Sequence, residues 1–314
     1  MRHMSDDPSK THGDRLRWRM PSVGVLALFA VLFLLGVALL TWRVSRSGIR
    51  RVLSLGGEVS VDPNRVSRFA VNWSGIDLLQ LSTDHDVAFV YLEGPEIDDE
   101  IMPVLRRFPN LRIVQLEGTT VTDIALIEVA GISQLNHVSL SESPEITDEG
   151  IALLGRLPKL RHARLEGLLI SGANLGQLSH LEILDLDYCP RLGSTVLQEL
   201  CEIPNLRNLS LYDSHITNAC FQDIKGTPNL EELDLSKTRI TDGSLTTLVE
   251  KFPGIKILYL ENLRGVTDEG ARQLTELTLL EHVSIHGCRI SNEAAKSLQD
   301  SIPRCKVYHE SLEE

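Results

Sequence analysis

Carboxylates, histidines and cysteines are the side chains in this sequence that could do chemistry. Asp185 and Asp187 stand two residues apart, Glu231, Glu232 and Asp234 form a second acidic run, and Glu182 precedes the first, with Arg207 and Tyr212 between the two. Such a set could be imagined around calcium, but the dense oxygen shell that ion requires is lacking. It fits better a surface that recognises a basic or polar partner. His137 with His162, and His282 with His286, could ligate a metal, yet no Cys or carboxylate cluster accompanies them at a recognised ligand spacing, so solvent-exposed rings are expected. The five cysteines, at 189, 201, 220, 288 and 305, form no C-x-x-C pair and read as small buried apolar groups, with a Cys189–Cys201 disulfide left open. G-x-S-x-G, H-E-x-x-H, G-x-x-x-x-G-K-[ST] and a strand-borne G-x-G-x-x-G are all absent. The sequence therefore predicts no catalytic centre, no cofactor or metal site, and no small-molecule substrate.

What positions these residues is a repeat. The pattern L-x-x-L-x-L is clearest at Leu181/Leu184/Leu186, Leu206/Leu209/Leu211 and Leu230/Leu233/Leu235, and apolar residues fill the same slots in six weaker copies. Nine units start at residues 87, 111, 135, 160, 181, 206, 230, 255 and 280, and a half-unit follows from Cys305. Strand alternation buries slots one, four and six, so slots three, five and seven point to the opposite side. Each unit continues with an apolar residue and then, in most copies, Thr or Ser followed by Asp or Asn, as in Val121-Thr122-Asp123, Ile146-Thr147-Asp148, Ile216-Thr217-Asn218 and Ile240-Thr241-Asp242. These read as helix starts, with Thr or Asp capping first-turn N–H groups and Asp opposing the helix dipole. Pro109, Pro158, Pro204, Pro228, Pro253 and Pro303 stop each outer segment before the next strand. The fourth unit is short, lacks the Thr-Asp start and predicts a tight loop in place of a helix.

This periodicity across residues 87 to 308 resembles the leucine-rich repeat family, and the I-T-D-x-G-x helix start is similar to its cysteine-containing and bacterial membrane-anchored members. The resemblance implies an α/β fold: a solenoid with parallel strands on a concave face, helices on the convex face, and partner binding by the concave side. The ninth slot departs from the family's Asn, holding Thr119, Ser143, Cys189, Ser214, Thr238 and Cys288, groups able to bond adjacent backbone. On the concave side slot five reads Tyr91, Gln115, Ser139, Arg164, Asp185, Ser210, Asp234, Tyr259 and Ser284; slot seven reads Glu93, Glu117, Ser141, Glu166, Asp187, Tyr212, Ser236, Glu261 and His286. The expected partner-binding residues are Tyr91, Arg164, Glu182, Asp185, Asp187, Tyr212, Glu232, Asp234 and Tyr259, with the tyrosines as anchors.

Ahead of the repeats, residues 21–42 run for 22 positions without a charge, long enough as a helix to cross the roughly 30 Å hydrocarbon core. Arginines flank this predicted transmembrane helix, and Trp18 and Trp42 stand at its ends. The apolar run is too long for a cleaved leader and has no A-x-A-like site. Residues 1–20 read as a basic disordered tail, 43–86 as a juxtamembrane segment and N-terminal cap with a strand around Val59 and Val61, 87–304 as the repeats, and 305–314 as a closing strand and acidic tail. The lysines and arginines nearly tie across the span, and the tail's resemblance to a signal anchor predicts a cytoplasmic N-terminus with the repeats outside the cytoplasm. Residues 1 to 51 carry nine Lys/Arg against three Asp, and the remainder carries 22 against 40, within a formal net charge of −12. An acidic body argues against nucleic acid as a partner, because phosphates need concentrated Lys and Arg. The expectation is a membrane-anchored, non-catalytic protein-binding or scaffold module. An F-box-like substrate receptor of a ubiquitin ligase would need a helical module for which residues 1 to 86 leave no room, and a structural envelope protein that packs against itself is the third reading.

Overall fold

In the computed structural model, residues 52, 58–61, 87–227 and 229–312 are described. The apolar span at 21–42, the tail at 1–20 and most of the cap segment lie outside them. Among the described residues no helix is long and apolar enough to cross a membrane.

Each L-x-x-L-x-L core makes a strand. The series runs β1 (Glu58–Val61), β2 (Val87–Glu93), β3 (Ile113–Glu117), β4 (His137–Ser139), β5 (His162–Arg164), β6 (Ile183–Asp185), β7 (Asn208–Ser210), β8 (Glu232–Asp234), β9 (Ile257–Tyr259), β10 (His282–Ser284) and β11 (Lys306–Tyr308). They form one sheet in chain order, with β2 to β11 parallel and β1 antiparallel to β2 at the N-terminal edge. No strand of this length buries an apolar face alone; neighbours must be stacked on it. Slots one, four and six are at most 4% exposed in all nine units, which makes one continuous core along the array. The register brings slot five of every unit into one row, Tyr91 beside Gln115 at one end and Tyr259 beside Ser284 at the other.

The outer side is uneven. Helices α1 (Met102–Leu105), α2 (Asp123–Val129), α3 (Asp148–Leu153), α4 (Val196–Leu200), α5 (Asp242–Lys251), α6 (Asp268–Gln273) and α7 (Asn292–Ser301) are interspersed with single 3-10 turns. Unit four has only the turn Leu175–Gln177, in keeping with its missing Thr-Asp start. Unit six, where a helix is expected after Ile216-Thr217-Asn218, also has only a 3-10 turn, Asn218–Phe221. Asp223 at φ 55° and Gly226 at φ 79° take the chain out of a helical path there. A Cβ on Gly226 would stand 2.2 Å from the Lys251 carbonyl oxygen, so this loop is pressed against the end of α5.

The Thr-Asp pairs do more than cap. Thr122, Thr147 and Thr267 accept an N–H of their own first turn, as expected. The following Asp, however, reaches the next unit. Asp123 accepts the Thr147 N–H at 2.9 Å and its hydroxyl at 2.6 Å; Asp242 holds Thr267 the same way at 2.8 and 2.7 Å. Asp99 grips Thr122, Asp148 grips Ser171, and Asp268 grips Ser291. Asn218 makes the amide version, accepting the Thr241 N–H at 2.9 Å and donating to its hydroxyl at 2.8 Å. These six rungs join units one to four and units six to nine. Gly172 occupies the Asp position in unit four, and the ladder is interrupted on both sides of unit five.

The eighth slot has its own rule. All nine residues there, from Gly94 to Gly287, have φ between 52° and 107°. The left-handed turn aims each N–H at the slot-seven carbonyl of the next unit, at 2.7–3.0 Å in eight cases, and Gly287 donates to Glu310 Oε1. In the ninth slot most Asn substitutes bond backbone as anticipated, while Thr119 shares a hydrogen bond with the Ser143 hydroxyl at 2.9 Å. Ser214 Oγ donates to Leu186 O at 2.6 Å, Thr238 Oγ1 to Leu235 O at 2.6 Å, and Cys189 Sγ lies 3.2 Å from Leu165 O. All five cysteines are free thiols.

Candidate binding face

Strand alternation leaves slots three, five and seven on the concave side of the sheet, held from behind by the buried leucines. Eight carboxylates occupy these slots, at Glu93, Glu117, Glu166, Asp185, Asp187, Glu232, Asp234 and Glu261, against the single guanidinium of Arg164. Pairing of β5 to β9 places Arg164 beside Asp185, Asp185 beside Ser210, Ser210 beside Asp234, and Asp234 beside Tyr259. Asp185, Ser210, Asp234 and Tyr259, together with His162, Ile183, Asn208 and Glu232, line a hollow of about 210 Å³. The predicted Asp185, Glu232, Asp234 and Tyr259 thus come together. Tyr91 stands at the N-terminal end of the row, and Glu182 lies in slot two at the strand edge, paired with Arg161 at 3.3 Å.

The acids are held by their neighbours. Arg164 Nε is 3.1 Å from Asp185 Oδ2, and Asp185 Oδ1 accepts the Asp187 N–H at 3.0 Å. Asp187 Oδ1 accepts both Ser210 Oγ at 2.5 Å and the Tyr212 N–H at 2.8 Å, so it fastens unit five to unit six. Burial, with a smaller push from Asp185, raises its carboxyl to about 6 against the pull of those two bonds. Burial likewise raises Asp234, which accepts the Ser236 N–H at 2.7 Å. Glu232 receives Asn208 Nδ2 at 2.5 Å. Tyr91 places its hydroxyl 2.7 Å from Glu93 and 2.9 Å from Glu117; burial and then these carboxylates push its pKa far above the ordinary phenol value. In Tyr259 burial, then Glu232 and Asp234, raises the phenol.

Two features depart from the sequence reading. His137 and His162 are half-buried, with ring centroids 4.1 Å apart, because adjacent units bring their slot-three residues to strand spacing. His137 Nε2 is buried without a hydrogen-bond partner, and burial, followed by His162 and Arg164, lowers this imidazole to about 4. Among the described residues no group of three or more His, Cys, Asp or Glu is arranged to hold a metal ion. Second, Ser139, Ser141, Ser236 and Ser284 are at most 5% exposed despite facing the concave side, because the larger residues of adjacent units close over them.

Sequence reasoning missed Tyr188 and Lys237, both in the eighth slot. Tyr188 stacks edge-on to Tyr212 with centroids 5.4 Å apart, and Lys237 Nζ lies 4.6 Å over the Tyr212 ring. The available signal was glycine at the same slot in other units, which marks a left-handed turn and therefore a side chain thrown outward wherever glycine is absent.

The profile of the Leucine Rich repeat family matches residues 227–249. No curated protein sequence matches the chain. Among solved structures, an internalin (InlF) from Listeria monocytogenes superposes with a TM-score of 0.50 at 18% identity, covering 73% of this chain and 76% of its own. An internalin C2 (InlC2) from the same organism gives 0.44 at 17% identity, over 72% and 82%. TLR13, solved as a complex with ssRNA13, gives 0.47 at 17% identity, over 70% of this chain and 34% of that one. With its nine units, parallel sheet and buried leucine slots, the chain has the leucine-rich repeat fold.

Proposed function

We propose that this protein is a membrane-anchored, non-catalytic recognition module whose acidic concave face binds a basic segment of another protein. The observation that carries this reading is the charge of that face, eight carboxylates to one guanidinium on one continuous sheet. Opposite charge steers encounter and fixes register, and a preformed surface spares the ordering cost of binding. The same polarity disfavours nucleic acid. The repeats at 87–304 and the closing strand leave the described residues from 87 onward no separate catalytic domain, which supports a purely recognising role. Residues 21–42 serve as the single-pass anchor, with residues 1–20 cytoplasmic and the repeats outside the cytoplasm.

Photo-crosslinking from position 259 in intact cells, with and without Asp185→Lys, Asp187→Lys and Asp234→Lys, tests the face. Its crosslinked species should contain a basic segment at the contact and should vanish in the triple variant; persistence there rejects the acidic face. Protease shaving of the same cells should remove the repeats without permeabilisation, and protection of the repeats reverses the orientation.

A further inference from the structure

The eighth slot holds a non-glycine residue at Glu142 and then four more in one unbroken stretch. Gly94, Gly118, Gly167 and Gly287 meet its left-handed requirement without penalty, whereas units five to eight place Tyr188, Asp213, Lys237 and Asn262 there in succession. Asp and Asn tolerate this conformation through local hydrogen bonding, but an aromatic does not. Tyr188 at φ 56° is the bulkiest of the residues held there, and 47% of its surface remains in solvent, so burial does not account for it. Strain retained at an exposed side chain points to a use for that side chain. Its surroundings define the use. Tyr188 follows Asp187 in the chain, and Asp187 accepts the N–H of Tyr212, the ring on which Tyr188 stands edge-on. The Lys237 ammonium over Tyr212 shows that a cation is accommodated on this aromatic step.

We infer that the Tyr188–Tyr212 step is the arginine-reading subsite of the acidic face, a specificity-determining contact for a partner whose basic segment carries arginine. The inference rests on the acidic face binding a basic segment. A planar guanidinium stacks on the exposed Tyr188 ring while the Asp187 carboxylate supplies the opposite charge; an ammonium has no plane to stack and gains less. Lys237 packs over the Tyr212 ring, while Tyr188 keeps ring surface in solvent for the partner.

The test uses the full chain in dodecyl-maltoside micelles and two fluorescein-labelled probes, nona-arginine and nona-lysine, followed by anisotropy at about 50 mM salt, where surface charges are weakly screened. Wild type should bind nona-arginine more tightly. Tyr188→Gly should weaken nona-arginine by roughly five- to tenfold and nona-lysine by less than about twofold, and Tyr188→Phe, which keeps the ring, should retain the arginine preference. Equal loss of both probes in Tyr188→Gly, or nona-arginine affinity unchanged within about twofold, overturns the subsite. If that happens while Asp185→Lys with Asp234→Lys still abolishes binding of both probes, the acidic face stands and only the subsite falls. Failure of wild type to bind either probe removes the acidic face and the subsite with it.

Discussion

Removal of a single ladder carboxylate, Asp242→Ala, is the sharpest test of how the units are held together. Its two oxygens accept the Thr267 N–H at 2.8 Å and the Thr267 hydroxyl at 2.7 Å, in a partly buried setting between units seven and eight. Hydrogen bonds to a charged group contribute about 1.5–3 kcal/mol each where desolvated, and partial exposure brings the pair to roughly 2–4 kcal/mol. For a cooperative body of this size each kcal/mol moves Tm by about 2–4 °C, so a drop on the order of 4–16 °C follows. The structure supplies its own control in Asn218, which makes the equivalent rung to Thr241 with its amide. Asp242→Asn should therefore cost no more than about 1 kcal/mol, the difference between a charged and a neutral acceptor. Thermal melts followed by circular dichroism at neutral pH read all three proteins. A Tm for Asp242→Ala within about 1 °C of wild type, or equal losses for Ala and Asn, would refute the rung as a stabilising element.

Three further outcomes follow from the same geometry. Glu142 sits exposed at φ 53° between units that use Gly118 and Gly167 in its slot; Glu142→Gly should stabilise by about 0.5–1 kcal/mol in calorimetry, the left-handed relief less the entropy of glycine. The Asp187 carboxyl, raised from 3.8 to about 6, binds a proton more readily in the folded state, so its contribution favours the fold at low pH and is lost as pH rises between those values; carboxyl-detected NMR should place its midpoint near 6, and a midpoint at or below 4 refutes its burial. His137, lowered from 6.5 to about 4, works in the opposite sense. Its neutral form is favoured in the fold, and stability falls as pH drops from 6.5 toward 4, so His137→Phe should flatten that limb of the stability–pH curve relative to wild type.

The strands and their faces were legible because one slot rule, repeated nine times, fixes which residues are inward. Leu184, Leu209 and Leu233 could only be buried, and Asp185, Ser210 and Asp234 therefore had to stand in one row. The ladder was not legible. Local capping already explained Thr147 and Asp148, and nothing in their adjacency reveals that Thr147 is held by Asp123, 24 residues earlier. Unit six misled for a related reason, since Thr217-Asn218 has the letters of a helix start while Asp223 and Gly226 divert the chain. Tyr188 escaped notice because tyrosine carries no preference for a left-handed turn; only its alignment with Gly94, Gly118, Gly167 and Gly287 exposes it. The membrane span and the orientation of the chain remain readings of residues 21–42 and their flanking arginines, outside the described residues.

The interruption of the Asp–Thr ladder around unit five also bears on how such an array can lengthen or shorten. Cutting the chain after Asp123 orphans its carboxylate and leaves Thr147 without its anchor, whereas a seam on either side of unit five severs none of the six rungs. Excising residues 181–205 joins two intact three-rung blocks; excising any other internal unit breaks up at least one. Unit five is thus the one internal module whose removal leaves all six rungs whole, and the two ends behave as separately fastened blocks.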